Sequence, residues 1–315
     1  MKVLLTGANG FLGTSISEQL DIRNYGFIPM VRKINKYSPK NARAVGNIDS
    51  NTDFSEVLPS IDVVIHAAAR AHIMEEEVAD PLTEYRKINV AGSENLARQA
   101  AVAGVKRFIF ISSVKVSGES TSGKNAYNES MAAAPEDAYG QSKYEAEEAL
   151  KRIAAETGIE LVIIRPPLVY GPGVKANFLS LFKLCKLSVP LPFALVNNQR
   201  SMVYLENLVD FIIQCVDHPN AANQTFFISD GKDLSLSYLI RTIRKAINKP
   251  ALLFPVPVWL FKLAGRLIGK TAVMDRLVGN LQVDSTKAQQ LLAWRPPCTI
   301  EEGIKATVAD INSRK

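Results

Sequence analysis

The stretch KVLLTGANGFLG, residues 2–13, decides the fold. Its apolar residues 3–5 predict a short buried strand, and residues 11–20 have the length and apolar spacing of a helix. Between them the glycines follow a G-x-x-G-x-x-G pattern, which permits a tight turn and leaves helix N–H groups free for a pyrophosphate. The pattern favours a dinucleotide-binding turn over an ordinary strand–helix connection. The residues that this interpretation places at the cofactor are Gly7, Asn9, Gly10, Phe11, Leu12 and Gly13.

Short apolar segments alternate with helix-length segments through the first half of the chain. The pattern predicts strands at 3–5, 27–31, 42–48, 62–66, 108–112 and 161–164, and helices at 11–20, 81–103 and 137–157. Strands rich in Val, Ile and Leu that alternate with helices indicate a parallel sheet covered on both faces. The predicted fold class is therefore α/β, a Rossmann-type doubly wound parallel sheet.

The pattern changes after Arg165, where prolines become frequent. It predicts helices near 177–187, 205–216, 237–248 and 258–268 and a strand at 225–229. We expect residues 1–170 to form an NAD(P)-binding Rossmann domain, with elements near 200–230 returning to it. Residues 171–315 are expected to form mainly a smaller, mostly helical substrate-binding lobe.

The end of the second predicted strand bears on the choice of cofactor. An acidic residue about 20 positions past the glycine loop binds the ribose of NAD, whereas an arginine accommodates the 2′-phosphate of NADP. Here Arg32 and Lys33 occupy this position, with no acidic residue at the tip. The pair favours NADP(H) over NAD(H), and a solvated basic loop is the alternative.

A proton-transfer site is indicated by Tyr139 and Lys143. Their i, i+4 spacing at the start of a predicted helix places the phenol and the ammonium on one face. A neighbouring positive charge lowers the pKa of a tyrosine, which can then exchange a proton with a sugar hydroxyl or carbonyl. The serines at 112 and 113 end a predicted buried strand, where a hydroxyl can bind the same oxygen.

The composition excludes several other classes of protein. With 47% hydrophobic and 22% charged residues the chain is an ordinary globular protein, and its net charge of +6 is not gathered into a nucleic-acid-binding tract. Three widely spaced cysteines and three histidines show neither disulfide nor metal-ligand spacing, so we expect no metal and a reducing, cytoplasmic location. No run reaches the ~18 apolar residues of a membrane span.

Six motifs standing in order identify a family. The chain resembles the extended short-chain dehydrogenase/reductases, the nucleotide-sugar epimerase, dehydratase and reductase group, over essentially its whole length. The motifs that carry the resemblance are Thr6–Gly13, His66–Ala69, Asn89–Ser93, Ser112–Gly118, Tyr139–Lys143 and Arg165–Gly173.

The resemblance implies roles for particular residues. Ser113, Tyr139 and Lys143 match the catalytic serine, the acid/base tyrosine and its supporting lysine. The chain departs from the family pattern at Ser117, where a tyrosine is usual, and at Leu168, where the epimerases have asparagine. Further residues implied to contact the cofactor are Asn47, where the family pattern has Asp, and Ile48, Ala67, Ala68, Asn89 and Pro166.

Residues 191–210 and 281–294 resemble bacterial enzymes of surface-polysaccharide sugar synthesis. The nearest resemblance is to reductases of UDP-4-keto-6-deoxy-N-acetylhexosamines, which make UDP-N-acetylquinovosamine or UDP-N-acetylfucosamine and are often labelled as epimerase-like. It implies a nucleotide-diphospho-sugar substrate, with Arg200 and Arg276 at the diphosphate and Asn177 near the uridine end. A surface position is the alternative for each of the three.

Arg32 and Lys33 favour NADP(H), and this favours a reductase. A net reductase exchanges its cofactor at every turnover, and cellular reductions commonly use NADPH. We therefore expect NADP(H)-dependent reduction at C4. The alternatives are a UDP-glucose or UDP-GlcNAc 4-epimerase with tightly bound NAD, and a non-catalytic NADP-sensing regulator.

Residues 259–268 combine apolar side chains with Lys262 and Arg266. We expect their apolar face to lie in the core of the substrate lobe, with an amphipathic helix at a membrane surface as the alternative. By analogy with the family, helices 81–103 and 137–157 are expected to pair in a homodimer. The acidic stretch Met74–Asp80 is expected to form a mobile loop near the sugar.

Overall fold

A seven-stranded parallel sheet organises the molecule. The computed structural model describes residues 1–36, 38–70 and 80–314, without the side chains of Ala176 and Asn177; residues 74–79 of the acidic stretch lie outside this part. The strands are β1 (Lys2–Thr6), β2 (Gly26–Val31), β3 (Arg43–Ala44), β4 (Val63–His66), β5 (Arg107–Ile111), β6 (Glu160–Arg165), β7 (Leu168–Tyr170), β8 (Met202–Tyr204) and β9 (Gln224–Phe227). The main sheet has the order β3-β2-β1-β4-β5-β6-β9, and β7 pairs with β8 in a separate parallel ladder.

Eleven α-helices are present in the described part of the chain. They are α1 (Phe11–Ile22), α2 (Pro81–Tyr85), α3 (Ser93–Val102), α4 (Ala138–Thr157), α5 (Ala176–Lys186), α6 (Leu205–Asp217), α7 (Leu236–Ala246), α8 (Val258–Leu267), α9 (Thr271–Val278), α10 (Thr286–Leu292) and α11 (Ile300–Ser313). A π-helical segment, Arg86–Gly92, joins α2 to α3. The helix predicted at 81–103 is therefore one helical stretch with a wider turn in its middle.

The sheet separates two hydrophobic cores, as its sequence pattern predicts. Leu5, Ile65 and Ile109 point to the face covered by α1 and α6. Leu4, Val64 and Phe108 point to the face that contains side chains from α3 and α4. Strand residues alternate between the faces, and both faces exclude water, which confirms the doubly wound α/β fold.

A third core lies in the C-terminal half. Tyr170, Phe178 and Phe182 pack there with residues of α7 and α11. The chain does not stay in this lobe, because β9 adds to the main sheet beside β6 and α6 packs against α1.

Several short elements were missed by the sequence analysis, and the third strand is two residues long instead of the predicted seven.

The expected burial of residues 259–268 is wrong for most of the segment. Phe261 packs against the third core, and its ring lies 5.4 Å from that of Phe193. Trp259, Leu267 and Ile268, in contrast, are 62%, 79% and 59% exposed. The physical reason is that α8 packs chiefly on α9, and no other described helix or strand packs closely on its outer face.

The glycine turn that follows β1 leaves no space for a larger residue at Gly13. A Cβ atom there would lie 2.1 Å from the carbonyl oxygen of Gly7. We expect Gly13→Ala to lower the free energy of unfolding by about 1–3 kcal/mol, because backbone must move to accept the methyl group. Gly26→Ala is the matched control, since the nearest atom to its Cβ position, Lys2 Cγ, lies at an ordinary contact distance of 3.9 Å. Urea unfolding checks both, and equal midpoints for the two variants would contradict the prediction.

Candidate active site

The glycine turn packs directly on the segment that follows β4. Gly7 has φ +72°, and a Cβ atom on it would lie 2.9 Å from the backbone nitrogen of Ala68. The N–H groups at the start of α1 have no carbonyl partner within the helix, so they are available to an anion. The turn thus has the cradle that a pyrophosphate needs, with Ala67 and Ala68 beneath it.

The residues expected at the adenosine end also lie together. Arg32 and Lys33 are exposed immediately after β2, and the Arg32 carbonyl accepts a hydrogen bond from Gly46 at 3.1 Å. This bond brings the next residue, Asn47, to the same edge, where it is exposed. Ile48 is buried, and its carbonyl oxygen lies 2.5 Å from the position of a Cβ on Gly92.

A buried chain of hydrogen bonds joins β1, β4 and the helical stretch around Asn89. Ala68 donates its N–H to Thr6 Oγ1 at 3.2 Å, and Thr6 Oγ1 lies 2.7 Å from His66 Nδ1. On the other side of the ring, His66 Nε2 lies 2.9 Å from Ser93 Oγ, which donates to the Asn89 carbonyl. This order of donors and acceptors requires a neutral imidazole protonated on Nε2. Burial, and secondarily the charge of Lys143, lower the pKa of His66 to about 3.

Asn89 lies in the π-helical segment and forms hydrogen bonds to two neighbouring segments of the chain. Its Nδ2 donates to Ser142 Oγ at 3.0 Å and to the Arg70 carbonyl at 3.2 Å, while its Oδ1 accepts from Arg70 N at 2.9 Å. These bonds tie the segment after β4 to α4. Asn89 therefore uses its amide on protein groups, and the contact with a cofactor that the resemblance implies remains a prediction.

The three proposed catalytic residues meet at the carboxyl end of β5. Asp137 caps α4 by accepting the Gly140 N–H at 2.7 Å, which places Tyr139 in the first turn. The side chains of Tyr139 and Ser113 are hydrogen bonded. Lys143 is buried one turn along the helix, with its Nζ 3.9 Å from the centroid of the Phe110 ring. Next to them the Pro166 carbonyl accepts from Val114 N at 3.0 Å, which connects β6 to the serine loop.

Burial and nearby charges set the protonation states of Tyr139 and Lys143. The lowered pKa that the sequence analysis expects for Tyr139 is wrong for this structure: burial raises it to about 12, and the Asp137 carboxylate adds to the increase. Burial also lowers the pKa of Lys143 to about 7, partly offset by Glu147. Without a bound ligand the phenol is therefore protonated and the lysine is close to its titration point at neutral pH. A phenol and an amine in this state can exchange a proton with a substrate hydroxyl.

Sequence analysis missed Glu147, although it follows Lys143 by one more helical turn. Glu147 is fully buried and accepts from Arg165 Nε at 3.0 Å and Nη2 at 2.5 Å, and also from the Ser112 hydroxyl. It fixes α4 to the ends of β5 and β6. The i, i+4 rule that identified Lys143 points to this position as well.

A second cluster brings together the two arginines expected at the diphosphate. Arg200 donates to the Arg276 carbonyl at 2.8 Å, and Arg276 forms an ion pair with Glu119 at 2.8 Å. Burial lowers the pKa of the Arg200 guanidinium, whereas the nearby Glu119 opposes this decrease. Lys115 also pairs with Glu119, at 2.7 Å, so the cluster is linked to the loop that begins at Ser113.

Three further expectations concern Asn177, a metal site and a membrane-spanning helix. The side chain of Asn177 lies outside the described residues, so its expected contact with the uridine end is not tested. Across residues 1–36, 38–70 and 80–314, no group of three His, Cys, Asp or Glu side chains could hold a metal ion. No helix in this part of the chain is long and apolar enough to cross a membrane.

The sequence matches a family of known proteins over most of its length. Residues 3–229 match the model of the NAD dependent epimerase/dehydratase family. A Vibrio cholerae protein named UDP-glucose 4-epimerase is 48% identical over 97% of this chain and 94% of its own length.

Solved structures show the same fold. The UDP-glucuronic acid 4-epimerase from Bacillus cereus, in complex with NAD, has a TM-score of 0.79 at 22% identity and covers 100% of this chain and 99% of its own. The UDP-glucose 4-epimerase from Thermotoga maritima, with UDP-glucose, has a TM-score of 0.77 at 24% identity, with the same coverage of both chains.

Breaking the buried ion pair should destabilise the protein strongly. Glu147→Gln leaves the Arg165 charge buried without its carboxylate, so we expect a loss of about 3–5 kcal/mol in the free energy of unfolding. Glu148→Gln is the matched control, because Glu148 forms only an exposed pair with Lys151 and should cost less than about 0.5 kcal/mol. Urea unfolding measures both, and similar losses would show that the buried pair contributes no more than the surface pair.

The lowered pKa of Lys143 predicts a pH dependence of stability. Between pH 7 and 9 the unfolded chain keeps a proton on this amine that the folded chain releases, so the free energy of unfolding rises with pH. We expect Lys143→Met to remove about 2 kcal/mol of that rise. Lys151→Met, an exposed lysine on the same helix, is the control and should leave it unchanged. Parallel urea titrations at the two pH values test this; the same rise in wild type and Lys143→Met would contradict it.

Proposed function

We propose that this chain, which belongs to the NAD dependent epimerase/dehydratase family, is an NAD-dependent enzyme that inverts the C4 centre of a UDP-hexose. The observation that carries the chemistry is the Tyr139 hydroxyl, hydrogen bonded to Ser113 and one helical turn from the buried Lys143. The 48% identity to the Vibrio cholerae protein named UDP-glucose 4-epimerase favours epimerisation over net reduction.

The residues act on one oxygen of the sugar. Tyr139 and Ser113 would hold the C4 oxygen between their hydroxyl groups, and Tyr139 would take its proton during oxidation and return it during reduction. The Lys143 ammonium would stabilise the phenolate formed in the first half of the reaction. NAD, when bound, supplies the hydride acceptor at C4 and the hydride donor that restores the alcohol.

The glycine turn fits the cofactor that this chemistry requires. Gly7, Gly10 and Gly13 leave the turn without side-chain atoms at the point where a diphosphate approaches the start of α1. Since an epimerase regenerates its cofactor in every cycle, NAD can remain bound through many turnovers. The substrate diphosphate would pair with Arg200 and Arg276, whose cluster is joined to the serine loop through Glu119.

A 4-ketoreductase is the second candidate, and one observation favours it. Arg32 and Lys33 are exposed at the carboxyl end of β2, where the 2′-phosphate of NADP would lie. An enzyme that selects NADPH for net reduction of a UDP-4-keto-6-deoxy-N-acetylhexosamine would use the same Ser113, Tyr139 and Lys143. The two candidates differ in cofactor consumption, which makes them separable.

A direct assay tests the proposal. We expect the purified protein, with catalytic NAD, to interconvert UDP-glucose and its C4 epimer, or UDP-GlcNAc and its C4 epimer, without net change in absorbance at 340 nm. Tyr139→Phe should lower turnover by about 10²–10⁴-fold, because the phenol is the proton carrier. Tyr144→Phe, on the same helix, should stay within about twofold.

Net consumption of NADPH would contradict the epimerase proposal. Stoichiometric oxidation of NADPH with a UDP-4-keto-6-deoxy-N-acetylhexosamine, and no interconversion of the C4 epimers, would replace the epimerase by the reductase. In that case Arg32→Ala should reduce the preference for NADPH over NADH. A Tyr139→Phe variant with full biological function would instead favour a non-catalytic regulator.

A further inference from the structure

The exposed apolar side chains are concentrated on one part of the C-terminal lobe. Of the 17 large apolar side chains that are exposed among the described residues, eleven come from Leu187–Leu195 and Leu252–Val273. We call the surface they form the basic apolar face. Its apolar members are Leu187, Val189, Leu195, Leu252, Phe254, Trp259, Leu260, Leu263, Leu267, Ile268 and Val273.

Backbone and ring contacts join these two stretches into one surface. Leu191 donates to the Leu252 carbonyl at 3.0 Å, and Phe254 donates to the Leu191 carbonyl at 2.9 Å. The stacked rings of Phe193 and Phe261 then attach α8 to the loop. The helices α8 and α9 pack on each other as a hairpin, with Leu267 and Ile268 at its tip.

The stretch that forms most of this surface is basic, although one of its cations, Arg244, is buried and the exposed Asp275 of α9 follows it directly. The 41 residues from Leu234 to Met274 contain seven Lys or Arg and no Asp or Glu, so the rest of the chain has a net charge near −1. Lys262, Arg266 and Lys270 are exposed around the hairpin tip. None of these three forms an ion pair within the described part of the chain.

This combination matches the physical chemistry of a membrane surface. Helices that lie in the headgroup region place Trp and Leu side chains toward the acyl chains and Lys or Arg toward anionic lipid. Trp259, 62% exposed on α8, is of the residue type that prefers this boundary. A hairpin with Leu267 and Ile268 at its tip, surrounded by cations, presents both features at one point.

The charge pattern also indicates whether this face binds a second copy of the chain or a lipid surface. A symmetric contact between two copies would bring this basic face against itself, and like charges oppose that contact. Anionic lipid supplies the opposite charge and an apolar interior to the same face. We propose that the basic apolar face, centred on the α8–α9 hairpin, docks the protein peripherally on anionic lipid bilayers.

Docking at this face would place the candidate substrate cluster close to the bilayer. Arg276 lies in the last turn of α9, three residues after the exposed Val273, and contacts Arg200 and Glu119. The inference nevertheless stands without the proposed reaction, because it depends on the exposed residues and their charge alone.

Vesicle co-sedimentation of the full chain tests the proposal. We expect binding to vesicles in which about a third of the lipid is phosphatidylglycerol, and at least about tenfold weaker binding to phosphatidylcholine alone. Raising the salt from about 0.1 to 0.5 M should weaken the binding. The fluorescence of Trp259 should shift to shorter wavelength on binding, whereas Trp294, only 5% exposed, should contribute no change.

Two variants and a matched control locate the contact. Leu267→Gln with Ile268→Gln should reduce the bound fraction about tenfold or more, and Lys262→Glu with Arg266→Glu should do the same. Ile22→Gln with Val102→Gln alters two residues that are 69% and 90% exposed on the Rossmann domain, and should bind as wild type. Circular dichroism and turnover of soluble substrate should be unchanged in all three, which shows that they fold.

Three results would overturn the proposal. These are no binding to the anionic vesicles, binding that the hairpin variants do not weaken, and binding that is equal for neutral and anionic lipid. If wild type ignores vesicles but the hairpin variants dissociate an oligomer in sedimentation velocity, the face is an interface between copies of this chain.

Discussion

The buried ion pair between Glu147 and Arg165 is the constraint on which the site depends. It joins the helix that carries Tyr139 and Lys143 to the strand that leads into the C-terminal lobe. A bidentate guanidinium–carboxylate contact fixes orientation as well as distance. Because Glu147 also accepts from the Ser112 hydroxyl, the serine loop and helix α4 share one anchor. The proposed catalytic groups therefore sit on a helix and at strand ends that are fixed to each other, although the loops between them are irregular.

Two titratable groups near this anchor respond to burial in related ways. His66 is neutral and serves as a hydrogen-bond connector between Thr6 and Ser93. Lys143 keeps part of its charge at neutral pH, since Glu147 and the face of Phe110 both favour the ammonium. A neutral histidine beside a lysine avoids a second buried cation. The core under the site can thus hold the one positive charge that the proposed reaction uses.

The sequence predicts the fold well wherever local rules decide the structure. The G-x-x-G-x-x-G turn, the apolar strands and the i, i+4 pair at 139 and 143 each follow from a short-range pattern. The same spacing points to position 147, but the importance of Glu147 depends on its ion pair with Arg165 of β6, which no spacing within one helix reveals. The exposure of the α8 helix could not be predicted either, because apolar periodicity shows that a face is apolar but not what covers it. Arg200 and Arg276 meet through contacts that span 76 residues, and only the folded chain places them together.

The two faces of the sheet are completed at different times as the chain leaves the ribosome. Every residue of the core beneath α3 and α4 precedes position 164, so this side can close early. The opposite side, which includes Leu5, Ile65 and Val162, needs residues of α6 and extends to Trp294. A nascent chain that ends after β6 therefore carries a finished half and an uncovered apolar sheet. That surface is what a chaperone would meet during synthesis, and it disappears only when the second half of the polypeptide has been made.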